Sequence, residues 1–182
     1  LVTLSRFPIA LQRAVDLRPY LDDHGLVAAE PGMGRFHTVK ALRTDLRIGE
    51  HVVSFYNTHI HAPVEPVLRR LTPNRLSRAH ELRTAGLRAL AADVASNPKP
   101  VFVAGDFNTT PAMGALRGLP ERLVDAGPAL GSLYPTSWER RLPWWRIDWV
   151  FTTAEVVVHR YRMVSPQTWS DHSGQEVVIS LR

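Results

Sequence analysis

The chain has 182 residues, 45% of them hydrophobic and 21% charged, with no cysteine and a formal net charge of +5 carried almost wholly by arginine. That length buries a sizeable core as one domain, the lack of cysteine excludes disulfides and thiolate metal sites, and no stretch is apolar for long enough to span a bilayer. The positive balance favours anionic partners, phosphodiesters or anionic lipid surfaces, against the alternative that arginine richness is a genomic habit.

In chain order, residues 1 to 9 read as a strand ending at Pro8, an opening that implies further sequence upstream. Residues 10 to 35 read as irregular, with Pro19, Asp22-Asp23, Gly25, Pro31, Gly32 and Gly34 marking turns. Phe36 to Arg43 and His51 to Ile60 read as two strands joined through a turn at Arg47-Ile48-Gly49-Glu50. The second is apolar on both faces at Val52, Val53, Phe55 and Tyr56, as a centrally placed strand requires, and turns polar at Asn57-Thr58-His59. Thr72-Pro73 places an N-cap before a proline at the first helical position, and the spacing of Leu76, Ala79, Leu82, Leu87, Leu90 and Val94 predicts a helix to about Ser96. Arg75, Arg78 and Arg88 lie off that stripe and read as solvated.

Val101 to Asp106 follows as a short apolar strand between turn residues, with Gly105 letting the backbone bend where the strand leaves the core. A short helix from Pro111 to Leu119 and an irregular stretch through Gly131 precede strands at Arg146 to Phe151, Val156 to Val164 and Glu176 to Leu181. Strands with few helices between them predict an α/β (α+β) mixed sandwich and not a doubly wound parallel sheet.

Four polar clusters fall at strand ends: Asn57-Thr58-His59, Asp106-Phe107-Asn108, Arg146-Ile147-Asp148 and Ser170-Asp171-His172. Asp106 and Asn108, spaced i and i+2, project from one side of an extended backbone. They set an ionised acceptor beside an amide that donates and accepts, which suits a phosphate-and-metal site or, more plainly, an Asx-rich loop. The first two clusters end strands and the last two begin them, so antiparallel pairing predicts all four at one sheet edge. A hydrogen-bonded structural role for His59 and an ion pair of Asp148 with Arg146 are the competing readings. His24, His37, His51, His61, His80 and His159 match no ligand spacing and read as non-catalytic. The dense stretch from Trp138 to Arg146, with Trp144 and Trp145 inside it, reads either as a stacking or membrane-interface rim or as a loop whose aromatics cover the core.

Ser5-Arg6-Phe7-Pro8, Asn57-Thr58-His59, Gly105-Asp106-Phe107-Asn108, Ile147-Asp148-Trp149-Val150-Phe151 and Ser170-Asp171-His172 together resemble the endonuclease/exonuclease/phosphatase superfamily. They stand in that family's order across almost the whole chain. The resemblance implies a four-layer DNase I-like sandwich flanked by helices and a metal-dependent phosphoric ester hydrolase using Mg²⁺, with Mn²⁺ as the alternative ion. On that pattern Asp106 orients or activates the attacking water, Asn108 and Asn57 hold phosphate oxygens, and Arg6 adds a forked donor. Asp171 and Asp106 stand near the metal, Asp148 and His172 form a general-base dyad, and His59 acts on the far side of the scissile phosphate. The implied partner is a phosphodiester, with DNA the leading substrate; a lipid phosphodiesterase, a phosphomonoesterase and a non-catalytic anion-binding module are the alternatives. No protein partner is implied, and a monomer is expected. The family's first motifs, including a Glu-bearing strand, have no counterpart, so residues 1–182 read as a single domain lacking its N-terminal part, with weak or absent activity and an exposed sheet edge.

Overall fold

The computed structural model describes residues 1–21, 38–62, 73–132, 135–138, 145–165 and 167–182. Six strands form one mixed sheet: β1 (Ile9–Asp16), β2 (Val39–Ile48), β3 (His51–His59), β4 (Val101–Asp106), β5 (Val124–Asp125) and β6 (Asp148–Thr152), in the spatial order β1-β2-β3-β4-β6-β5. Every pairing is antiparallel except β3 with β4, which is parallel. The crossover that a parallel pair requires includes α1 (Pro73–Ala95). A separate antiparallel pair, β7 (Val156–Val164) and β8 (Gly174–Leu181), completes the described strands.

Alternation along the central strands sorts their side chains into two cores. Val101 and Val103 of β4, with Trp149 and Phe151 of β6, join Leu82, Leu87, Leu90 and Val94 of α1 on one face. Phe102 and Ala104, with Val150, face Tyr161, Val158 and Val177 of the β7–β8 pair on the other. The period of two in the strands thus meets the helical stripe on one side and a second sheet on the other. The described residues form three layers, helix, six-stranded sheet and two-stranded sheet, where four were expected.

Other expectations need correction. The first strand is Ile9–Asp16, not residues 1–9. The opening segment instead lies against β2 and β3: the Thr44 hydroxyl donates to Thr3 Oγ1 at 3.1 Å, and Asn57 Nδ2 donates to the Val2 carbonyl at 2.9 Å. The second strand begins at Val39 and runs to Ile48, and the helix stripe starts late, since Leu76 is exposed. Residues 111–119 form two 3₁₀ turns and not one helix. The turn residues between Asp22 and Gly34, together with His24, His37, Thr72 and Glu139 to Trp144, lie outside the described residues.

Beneath α1, at the end of the sheet where β4 begins, is a buried polar network with no counterpart in the sequence reading. Arg43 donates to both Asp45 oxygens at 2.8 and 3.0 Å, Ser54 Oγ donates to Asp45 at 2.7 Å, and the Tyr56 hydroxyl donates to Asp93 at 2.6 Å. Asn97 Nδ2 donates to the Tyr56 oxygen at 3.1 Å, and Arg13 pairs with Asp93 from the exposed side. Burial alone would raise the Asp45 pKa, but the hydrogen bonds from Arg43 and Ser54 outweigh it and hold the carboxyl below its ordinary value. Asp93 ties the helix to the sheet, and Asp93→Ala leaves buried cationic and hydroxyl donors without their acceptor. A loss of about 3–5 kcal/mol in urea unfolding is expected, with Asp93→Asn losing less because it keeps an acceptor for Tyr56.

Candidate active site

The strand register builds the site. His59 stands opposite Asp106 in the parallel β3–β4 pair, and Asp106 stands opposite Asp148 in the antiparallel β4–β6 pair. Three adjacent strands therefore deliver three titratable side chains side by side at one sheet edge. Antiparallel pairing of strands that end with strands that begin at this edge was the expected cause, and the β4–β6 pair is such a pairing, while the two strand-ending clusters meet through the parallel β3–β4 pair. The ladder continues past the strand ends, since Ile60 N–H donates to the Asp106 carbonyl at 2.8 Å and Phe107 N–H to the Ile147 carbonyl at 2.9 Å.

Gly105 sets the approach to this edge. Its φ is +141°, and a Cβ built there would stand 2.1 Å from the Thr58 carbonyl oxygen on the neighbouring strand. Only glycine accepts both the conformation and that proximity. Asn108 then takes a left-handed φ of +47°, which asparagine tolerates better than most residues. Its backbone N–H and Nδ2 donate to Asp106 Oδ1 and Oδ2 at 2.7 and 3.0 Å, and Nδ2 also reaches the Ile60 carbonyl at 2.9 Å.

His172 completes the row. Its Nδ1 lies 2.9 Å from Asp148 Oδ2, so the carboxylate fixes the ring and leaves Nε2 as the outward-facing nitrogen. At the other end His59 Nε2 is 3.7 Å from Asp106 Oδ2, an ion-pair contact beyond hydrogen-bond length, with the imidazole half exposed. The order across the edge is His59, Asp106, Asp148, His172. Asp171, beside His172 in sequence, is exposed and accepts the Trp138 indole N–H on Oδ2 at 3.0 Å.

Burial pushes the Asp106 carboxyl up to about 6; the Asn108 backbone N–H pulls it back and the neighbouring Asp148 charge adds to the rise. Hydrogen bonding to Asp148 raises His172 above its ordinary 6.5 against the opposing effect of burial. Burial, then the Lys40 and His172 charges, lower His59. The two imidazoles are thus pushed in opposite directions, His59 toward the neutral form and His172 toward the charged one. A raised histidine contributes stability that is fully present below its unfolded value near 6.5 and lost as pH rises through the folded value. In metal-free protein Asp148→Asn is therefore expected to lower the urea midpoint more at pH 5.5 than at pH 9, and equal losses at both would contradict the pairing.

Two expected contributors stand apart. The Asn57 amide is taken up by the Val2 carbonyl, two residues back from the edge. Arg6 is exposed, with its guanidinium 5.2 Å from the Phe7 ring centroid, and forms no hydrogen bond or ion pair with the His59–His172 row among the described residues. Arg146 does not pair with Asp148: it grips both oxygens of Asp125, at 2.9 and 2.5 Å, and lies 3.9 Å over the Trp149 ring. Trp149 is core, its indole N–H donating to the Thr109 carbonyl at 2.8 Å. Trp138 and Trp145 stack at 5.4 Å beside His172. Sequence reading passed over Ser137 and Lys40, and nothing in either residue's local pattern singled it out.

For a divalent cation, Asp171 and the adjacent Asp106 and Asp148 are oxygen donors of the type Mg²⁺ takes, one or two carboxylates with waters filling its shell. Among the described residues no three acidic or imidazole groups are placed to close a shell by themselves. These donors suit an ion that keeps several of its waters.

Residues 1–172 match the endonuclease/exonuclease/phosphatase family. Similar solved structures include humanized D. rerio TDP2, at 17% identity and a TM-score of 0.65, covering 96% of this chain and 68% of that one. An endonuclease/exonuclease/phosphatase from Bacteroides vulgatus is 19% identical with a TM-score of 0.66, over 97% and 67% of the two chains. D. rerio TDP2 complexed with a single-strand DNA product is 16% identical with a TM-score of 0.64, over 96% and 69%. The chain thus spans about two thirds of the length of these neighbours, and the sequence matches none of the curated proteins.

Proposed function

Because the chain belongs to the endonuclease/exonuclease/phosphatase family of metal-dependent phosphoesterases, we propose that it hydrolyses phosphodiesters by in-line attack of water, with nucleic acid as the substrate class. The observation that carries this reading is the His59, Asp106, Asp148, His172 row, two carboxylates between two imidazoles at one sheet edge. Asp148 orients the His172 ring, whose outward nitrogen takes a proton from the attacking water. Asp106, in register beside Asp148, holds that water in line. His59, kept neutral, donates a hydrogen bond to the leaving oxygen, and Asn108 steadies the Asp106 carboxylate so that both oxygens face one way. A Mg²⁺ carried by Asp171 and Asp106 would neutralise charge developing on the phosphoryl oxygens.

The net positive charge supports an anionic polymer as substrate, as does the similarity to a protein crystallised with single-strand DNA product. The phosphomonoester alternative is kept by one further similarity, a Bacteroides thetaiotaomicron mannosyl-6-phosphatase at 15% identity and a TM-score of 0.58. Product analysis separates them. With Mg²⁺ present, single-stranded oligonucleotide and bis-p-nitrophenyl phosphate should be cleaved, and both reactions should vanish in EDTA and in Asp106→Asn. Release of inorganic phosphate from sugar phosphates without diester cleavage would replace this reading with the monoesterase. Inactivity on every ester would leave an anion-binding module.

A further inference from the structure

The start of β6 presents a backbone problem. β5 pairs with β6 only at Thr152 and Phe151, so at Ile147 and Asp148 no strand among the described residues covers that side of the sheet. The two amide N–H groups there are buried and need acceptors. One side chain supplies both: Ser137 Oγ accepts from Ile147 N–H at 3.0 Å and from Asp148 N–H at 2.9 Å. Ser137 is itself 1% exposed.

The same residue reaches the other half of the dyad through its backbone. The Ser137 carbonyl accepts from Ser173 N–H, the residue after His172, at 2.7 Å, and its own N–H donates to the Trp145 carbonyl at 2.9 Å. Its neighbour Trp138 bridges to both His172 and Trp145 in β-type pairing, and the Trp138 indole N–H holds Asp171. Asp148 and His172 come from segments that no strand pairing joins; Ser137 touches the backbone of one directly and of the other at the next residue.

We infer that Ser137 is a positioning residue for the Asp148–His172 dyad, its hydroxyl standing in for the missing ladder at Asp148 while its carbonyl sets the segment that carries His172. Its effect on turnover rests on the phosphodiesterase reading; its effect on the two segments does not. A hydroxyl elsewhere provides the control. Thr153 Oγ1 accepts the Val101 N–H at 3.0 Å at the opposite end of the sheet, a bond of the same type remote from the row.

The experiment compares Ser137→Ala, Ser137→Cys, Ser137→Thr and Thr153→Ala by site-resolved amide hydrogen exchange and by kcat and KM on bis-p-nitrophenyl phosphate. Ser137→Ala should speed exchange at Ile147 and Asp148 and also at Ser173, whose own acceptor is untouched. It should lower kcat by about 10–100-fold with little change in KM, the usual size for losing a group that orients a catalytic one. Ser137→Thr keeps the hydroxyl and should restore both readouts; Ser137→Cys, a weaker acceptor, should fall between. Thr153→Ala should lower the melting temperature without lowering kcat. Unchanged exchange at Ser173 in Ser137→Ala would overturn the proposal, as would a kcat no lower than that of Thr153→Ala. If Ser137→Ala does not fold, the difference between the Cys and Thr variants decides in the same two readouts. If the parent protein hydrolyses no ester, the phosphodiesterase reading fails by itself and the exchange pattern still decides the positioning role.

Discussion

His172→Ala is expected to reduce kcat for phosphodiester hydrolysis by about 10²–10⁴-fold, the range that a positioned general base contributes. The expectation follows from geometry. His172 is the only member of the row hydrogen-bonded to Asp148 among the described contacts, at 2.9 Å, and Asp148 stands in register beside Asp106. Removing the ring takes away the proton acceptor and leaves two carboxylates adjacent without the imidazole beside them. Because the pair acts as a unit, Asp148→Asn should cost a large fraction of the same factor, and the double variant should be little worse than His172→Ala alone. Multiplicative losses in that cycle, measured as kcat/KM, would mean that the two groups act separately. The pH profile carries a sign as well. The raised imidazole is the free base only above its shifted value, so the parent rate should climb through a range above 6.5. In Asp148→Asn that limb should move to lower pH.

Gly105→Ala is expected to be the most damaging single methyl addition near the site. The new Cβ would meet the Thr58 carbonyl oxygen at 2.1 Å and its Oγ1 at 2.7 Å, while the residue would hold a φ of +141° that L side chains rarely adopt. The conformational cost is about 1–3 kcal/mol, and the backbone contact adds to it. A total above about 4 kcal/mol is expected in urea or thermal unfolding, a large part of the stability of an ordinary domain. Relief requires β3 and β4 to separate at the end where they carry His59 and Asp106. Activity should therefore be lost even in conditions where the variant remains folded. A destabilisation below about 1 kcal/mol would show that the strands can part there without consequence.

The comparison of sequence with structure turns on which features are written locally. Val101 to Asp106 and Val156 to Val164 were legible because short apolar runs between turn residues, or clean alternation, need no partner to be recognised. The convergence of the four clusters was legible from strand-end polarity, and the antiparallel β4–β6 pair is the cause that was expected; that β3 and β4 are immediate neighbours was not legible, since it depends on where the crossover lays the chain. Ile9–Asp16 was missed because an edge strand shows solvent on most of its length and so lacks an apolar run. The Arg43, Asp45, Tyr56, Asp93 and Asn97 network was illegible for the opposite reason. Charged residues are read as surface, and only the packed structure reveals that each has a buried partner. Arg6 and Asn57 were placed in the site by motif alone, and the opening segment that carries or contacts them lies where the pairing of Asn57 with Val2 draws it.

The division of the dyad between two sheets has a consequence for how the site is lost. Asp148 belongs to the six-stranded sheet, whereas His172 leads into a two-stranded hairpin that packs on that sheet through the small cluster around Tyr161 and Val150 and is tied to it near His172 by the Asp148 and Ser137 hydrogen bonds. A two-stranded hairpin is marginal by itself in water, so this unit is expected to open at a lower free energy than the sheet it leans on. Such an opening would dismantle the site while leaving the α1-bearing sheet in place. On that expectation catalytic competence and global folding are separable quantities, and thermal inactivation should run ahead of melting.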